Sequence, residues 1–476
     1  MLQAYFKRLN TQLDTIDEYE REPVPENELK GWRGFLGMYA GEHTAGTEFV
    51  IGPLFVAHGV AAIDLVWGLI IGNVLAVLSW AFLCAPVAVK TKLTLYWQLK
   101  KICGSKLALI YNVVNALMFC FLAGAMIAVS ATAVGLPFGI AMPGLGDWLP
   151  TSLGWVITVF AVGLVITIVA ILGYDYVARF ANVAFPWMLL IFIAAAFAVL
   201  PQLGAHSVSD LWAVAKEQIW TGVPAEGQSK FTFWHVMFFA WFTNMAMHIG
   251  MADMSILRFA KHWKHGFSTG MGVFSGHFIA WMASGVLTAA AAGAIAPGII
   301  AYNSAGIAGA VCVVMAGWST ANPTIYRAGL AFQSVTPDWK RWKVTLFTGL
   351  VTSIAACFPA FVMRLLDFVA LYGLVLMPMG AVIFLDVMVF NKINLERNFA
   401  EKAGLDFNWA AGLTWLLTLA LCLFINLYMG MEIFFLGLPG WFIAVLLYIS
   451  LSVFYQRRKQ PTVERKYQDS RIVSKH

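Results

Sequence analysis

The chain has 476 residues, 60% of them hydrophobic and 12% charged, with 36 Phe and 19 Trp. That balance excludes a soluble globule and describes a polytopic membrane protein, in which a net charge of +6 spread over loops and tails implies no nucleic-acid partner. Six scattered cysteines (Cys84, Cys103, Cys120, Cys312, Cys357 and Cys422) form no CxxC pair and read as small buried apolar residues, neither a disulfide frame nor a metal site.

The first 30 residues are charged and polar, with no apolar core for a cleavable signal peptide. The apolar run from Phe49 to Val89 is about twice the length one span requires. Cut at Gly59 to Asp64, it yields a good second helix but leaves only 49–60 for the first. The first span must therefore reach back to about residue 34, through GMYAGEHTAGTEFVIG (37–52), which carries Glu42, His43 and Glu48. Backbone at membrane depth leaves helical geometry only where it lines a cavity or is buried in protein, and intramembrane carboxylates are costly enough to be functional by default. Residues 41–48 are accordingly expected to be the broken centre of a discontinuous helix facing a binding site. The rival reading makes 31–48 a juxtamembrane hinge and starts a tilted span at Phe49, but leaves the length deficit unexplained.

Further spans are expected at about 65–89, 107–135, 153–173, 180–201 and 232–253. A second set follows at about 268–294, 304–330, 344–362, 365–390, 408–428 and 432–455. Twelve spans put both tails on one side, and 28 of the 31 Lys and Arg fall on that side, leaving Lys216, Lys230 and Arg364 opposite. By the positive-inside rule both termini are cytoplasmic, in a plasma (inner) membrane. The long outer connection at 202–231 separates two blocks of five spans. An odd number of spans per block makes the halves antiparallel, as in many secondary transporters. Span six should then be broken like span one, and AWFTNMAMHIGMADMSILRF (240–259) does place Asn244, His248, Gly250 and Asp253 in an apolar segment.

The expected fold class is thus an all-α polytopic membrane protein of twelve transmembrane helices. A five-plus-five inverted repeat carries two extra C-terminal helices, and helices one and six are discontinuous. Its parts are an N-tail (1–33), a first repeat (34–201), the extracytoplasmic connection (202–231), a second repeat (232–390), two accessory helices (391–455) and a basic cytoplasmic C-tail (456–476).

In span eight, MAGWSTANPTIYRAGL (315–330), the Ala316 carbonyl and the Ser319 and Thr320 hydroxyls fall on one helix face. A hard cation such as sodium needs several oxygens, and unwound span-one carbonyls could supply the rest. Pro323 frees the Ser319 carbonyl as well. The rival reading has both hydroxyls bonding their own helix backbone.

AGWSTANPTIYRAGLAFQSVTP (316–337) resembles span eight of the nucleobase–cation symporter family, the purine–cytosine and hydantoin permeases. LVLMPMGAVIFLDVMVF (374–390), with Pro378, Gly380 and Asp386, resembles that family's tenth-span signature. WGLIIGNVLAV (67–77) is similar to its second-span Gly-Asn signature, and Asp253 to Phe259 to the end of its span six. The resemblance spans about residues 30–395. It implies the inverted-repeat fold and cation-coupled uptake of a nitrogen heterocycle. It also implies a sodium site at Ala316, Ser319 and Thr320, completed by span-one carbonyls within Gly41 to Ala45, with Gly41 and Thr44 among the candidates.

In that family a planar base is clamped between aromatics of spans three and six. Here the substrate-site candidates are Phe119 and Phe121 in span three, Trp241 and Asn244 in span six, Asn322 in span eight, and Glu42, His43 and Glu48 in span one. Of the two acids, Glu42 ends a half-helix, whose dipole disfavours charge and makes it the better protonation candidate; Glu48 begins one and is the better anion. His58 and His277 read as packing residues, and Trp67, Trp80, Trp97, Trp155 and Trp187 as interface or packing residues. The expected function is a secondary symporter importing a nucleobase-like heterocycle (purine, pyrimidine, hydantoin or allantoin type) with sodium by alternating access, most simply as a monomer. A proton-coupled carrier using Glu42 or Glu48 is the alternative, and a non-transporting sensor or channel of the same fold the second. No phosphate loop or nucleophile–base arrangement appears, so neither an enzyme nor a cofactor is expected beyond the coupling ion.

Overall fold

The computed structural model describes residue 13 and residues 18–143, 147–291, 297–358 and 365–473. Every regular element in this range is helical. The expected first span is two short helices, α1 (Leu36–His43) and α2 (Glu48–Ala57), joined by non-helical Thr44 to Thr47. Then come α3 (Ala62–Thr91), α4 (Ser105–Val134), α5 (Leu153–Ile171) and α6 (Tyr174–Val199). The expected sixth span is α7 (Phe233–Phe242) followed by single turns α8 (Met245–His248) and α9 (Met254–Leu257). The rest are α10 (Trp263–Ala290), α11 (Pro297–Val335), α12 (Arg341–Ala356), α13 (Leu365–Phe384), α14 (Trp409–Met429) and α15 (Ile433–Val473).

Among the described residues, nine helices are long and apolar enough to cross a membrane. The two broken segments and the 16-residue α12 coincide with the other three expected spans. Large apolar side chains such as Ile157, Leu190, Leu416 and Phe442 are exposed on the outside of the bundle, the surface a hydrocarbon solvent requires.

The site lies where α1, α2 and α7–α9 pass through a scaffold of α3, α4, α6, α10, α11 and α13. The first break is held by close backbone approach. A Cβ on Gly46 would sit 2.6 Å from Val129 of α4, and one on Gly276 of α10 would sit 1.8 Å from the His43 carbonyl. In the second break the wide-turn bonds Ala252 N–H to Ala246 O and Asp253 N–H to Met247 O replace the α-helical pattern, and Met251 adopts φ 67°. α3 and α10 carry π-helical turns at Trp80–Cys84 and Phe274–Ala280, a local insertion that turns Trp80 and His277 toward these breaks. In α11 the helix is interrupted at Ala305 and Gly306, beside the expected start of span eight.

The juxtamembrane reading of 31–48 is overturned, because Gly37 to Phe49 are buried in the bundle. The described part of the N-tail is also more than a tail. Tyr326 donates to Glu18, Arg258 donates to the Tyr19 carbonyl, and Lys30 pairs with Asp175 at 2.6 Å. Its earlier residues, apart from residue 13, and Arg364 lie outside the described residues, as do the side chains of the basic tail beyond Arg457. Arg258 and Arg327, counted from the sequence among the 28 cytoplasmic-side cations, are fully buried and are not loop charges. Asp386 accepts the Asn398 backbone N–H at 3.0 Å, so this signature acid caps a turn. The six cysteines are buried and unpaired.

Candidate functional site

Ala316, Ser319, Thr320, Pro323 and Arg327 share one face of α11, each three or four residues from the next or the one after. The Ala316 carbonyl accepts from Ser319 Oγ at 3.0 Å and lies 3.3 Å from Thr320 Oγ1. Thr320 Oγ1 donates to the Glu42 carbonyl, 2.7 Å away at the end of α1. An all-oxygen set therefore gathers where the first break meets α11. Both hydroxyls bond their own helix, as the rival reading has it, and Thr320 also reaches the Glu42 carbonyl. Glu42 lies within the expected window of carbonyls. Gly41 instead packs against Ala181, and Thr44 Oγ1 turns to α10, 2.8 Å from the Ala40 carbonyl and 3.1 Å from Ser275 Oγ.

Two turns further along α11 sits Arg327, fully buried. Its guanidinium grips Glu42 with two parallel bonds of 2.5 and 3.1 Å and reaches Asp253 Oδ1 at 2.5 Å. Trp80 Nε1 donates to the other Asp253 oxygen at 2.6 Å. One cation between two carboxylates ties span one, span six and span eight together and leaves the triad with a net charge of −1. The triad gives Glu42 a forked Arg partner that nothing local in the sequence marked. It also moves Trp80 from packing into the ion network.

Glu48, at the first turn of α2, accepts a hydrogen bond from Trp281 Nε1, while Ser284 Oγ donates to its backbone carbonyl at 2.6 Å. Among the described residues it has no Lys or Arg partner. His277 stacks on Trp281 at 4.3 Å and lies 3.2 Å from Asn244 Nδ2; His43 is 5.2 Å from the same imidazole. Glu48, His277, Asn244 and His43 line a cavity between the breaks with Glu42, Asp253, Leu122, Met126, Thr320, Thr324 and Tyr372. His277 is thus a cavity residue and not a packing one, whereas His58 does pack, stacked on Phe231.

Glu42, His43, Glu48 and Asn244 from the substrate-site candidates and Thr320 from the sodium-site candidates line this one cavity, but the aromatic candidates do not. Phe119 lies edge-on to Tyr372 and Phe121 against Phe368. Trp241 donates to Ser79 and stacks on Phe242. Asn322 is buried outside the cavity lining. The residues missed from the sequence are Arg327, Asp253 as its partner, Trp80, His277 and Tyr372. An arginine in the middle of the apolar span-eight run was the available signal for the first; nothing local marks Tyr372.

No family model matches the chain, and no curated protein matches it in sequence. Solved structures do. Mhp1, a nucleobase-cation-symport-1 family transporter in a closed conformation with bromovinylhydantoin bound, superposes with a TM-score of 0.69 at 14% identity, covering 92% of this chain and 96% of that one. A Na+-coupled sialic acid symporter in a substrate-bound outward-open state gives 0.61 at 18% identity over 89% of each chain. A variant of the manganese transporter of Eremococcus coleocola gives 0.53 at 13% identity, over 93% and 97%. This chain is an all-helical, multi-pass membrane protein with the fold of Mhp1.

Proposed function

We propose that the protein is a sodium-coupled secondary transporter that imports a small nitrogen heterocycle by alternating access. In this reading it has twelve spans in a five-plus-five inverted repeat plus two helices, with both termini in the cytoplasm. The observation that carries it is the meeting of the Glu42 carbonyl with the Ala316, Ser319 and Thr320 oxygens, directly beside a triad of net charge −1. Hard oxygens suit sodium, and the local negative charge favours a cation over a neutral occupant. Because the oxygens come from both α1 and α11, any motion that separates these elements dismantles the site. Sodium then favours the state in which they touch, since only that state offers it the full set of oxygens. Mhp1 with its bound hydantoin and the Na+-coupled symporter share this fold and lend the reading support.

The test is thermal unfolding of the purified protein in sodium against potassium. Sodium is expected to raise the unfolding temperature of the wild type. Ser319→Ala and Thr320→Ala are each expected to weaken that response by roughly 5- to 150-fold in sodium concentration, the equivalent of about 1–3 kcal/mol per hydroxyl. Wild-type responses in both variants would leave the hydroxyls as self-bonded helix residues.

A second reading, proton coupling, is favoured by one observation. Glu48, unlike Glu42, has no cationic partner among the described residues, which makes it the carboxyl group this reading would use.

A further inference from the structure

We propose that the central cavity takes a small protonated nitrogen compound, of the amidine or amino-heterocycle class, which places its charged N–H groups on Glu48. This rests on the transporter reading above and narrows its substrate. Among the described residues three carboxylates, Glu42, Glu48 and Asp253, line the cavity, and neither Lys nor Arg does. Arg327, behind the lining, offsets one of them, and a sodium ion at the α1–α11 oxygens would offset the second. Glu48 is left. It is 3% exposed, and the Trp281 indole is a neutral donor. The facing titratable groups are His43 from α1, His277 from α10 and Asp253 beside α9, none of which forms an ion pair with it.

A second observation points to a ligand independently. The residues Tyr372 and His277 line the same cavity, and the Tyr372 hydroxyl and His277 Nδ1 are buried with no hydrogen-bond partner among the described residues. Polar atoms in a cavity wall that find no partner in the protein are free to bond a polar occupant. The other ring nitrogen of His277, Nε2, lies 3.2 Å from the Asn244 amide. The occupant must therefore offer N–H donors, to Glu48 and to the Tyr372 oxygen, which can accept as well as donate.

A flat neutral base gripped between two rings does not fit this lining. Phe119, Phe121 and Trp241 are spent on other contacts, and among the described residues Tyr372 is the one benzenoid or indole ring lining the cavity. A bare metal ion fits less well than an organic cation, since among the described residues no group of three or more His, Cys, Asp and Glu side chains is placed to hold one.

The experiment is ligand-induced thermal stabilisation of the full-length protein at pH 7, in sodium and in potassium. The cationic probes are 2-aminoimidazole and benzamidine; the neutral probes are uracil and hydantoin. The cations are expected to stabilise the wild type more than the neutral probes. Glu48→Gln is expected to lower their affinity by roughly 30-fold or more, as when one partner of a buried charge pair is removed. Should Glu48→Gln fail to fold, the wild-type ranking of cations against neutral probes decides alone. Stabilisation by uracil or hydantoin but not by the cations overturns the inference and leaves the transporter reading standing. Equal cation affinity in folded Glu48→Gln overturns it too, as does a lack of response to every probe. If sodium also has no effect, the sodium-coupled reading falls with it.

Discussion

At Arg327 the choice of residue governs three spans at once. Its side chain is fully buried, and it holds Glu42 and Asp253 in one network. Removing one partner of a buried ion pair costs on the order of 3–5 kcal/mol, because the charge left behind is desolvated and uncompensated. Arg327→Gln strands two carboxylates, whereas Glu42→Gln or Asp253→Asn leaves one balanced pair. The expected order of unfolding temperature in detergent is therefore wild type, then the two single-acid variants, then Arg327→Gln. The acid variants should also bind sodium more weakly, since the triad becomes neutral. An Arg327→Gln protein as stable as Glu42→Gln would show that the network does not hold the spans together.

Among the elements, the two discontinuous helices depend on the helices that let them approach. Gly276 of α10 faces the His43 carbonyl so closely that any Cβ must displace the end of α1. Gly276→Ala is expected to cost about 1–3 kcal/mol as an overpacking change and to weaken the sodium response, because the neighbouring Glu42 carbonyl moves with it. Gly270, on the same helix, is the control: its nearest neighbour to a new Cβ is Val77 at 3.8 Å, so Gly270→Ala should match or exceed wild-type stability. Equal behaviour of the two variants in thermal unfolding and sodium titration would separate the break from the sodium site.

The whole molecule has a direction in the membrane that its charges predict. Even without Arg258 and Arg327, 26 of the remaining 29 cations belong to the face proposed as cytoplasmic. Lys216 and Lys264 are exposed at opposite predicted faces, and the native cysteines are buried. In intact cells a membrane-impermeant maleimide is expected to label Lys216→Cys but to label Lys264→Cys only after permeabilisation. The reverse pattern would invert the topology.

The sequence by itself determined that this is a multi-pass helical protein, and that its helices are interrupted near Thr44 to Thr47 and near Asn244 to Asp253. Each of these is a statement about one segment against a hydrocarbon solvent: a length deficit at 49–60, or polar residues such as Asn244 and Asp253 inside an apolar run. The face of α11 bearing Ala316, Ser319 and Thr320 was legible for the same reason, since helical spacing is local. Tertiary structure alone decided the partners. Arg327 lies 285 residues from Glu42 and 74 from Asp253, and no local rule pairs them. The same holds for Trp80 on Asp253, Trp281 on Glu48 and Tyr372 at the cavity wall. Phe119, Phe121 and Trp241 lay in the expected spans yet found other neighbours. Spacing along a helix settles which side chains share a face, but the packing of distant helices settles what that face meets.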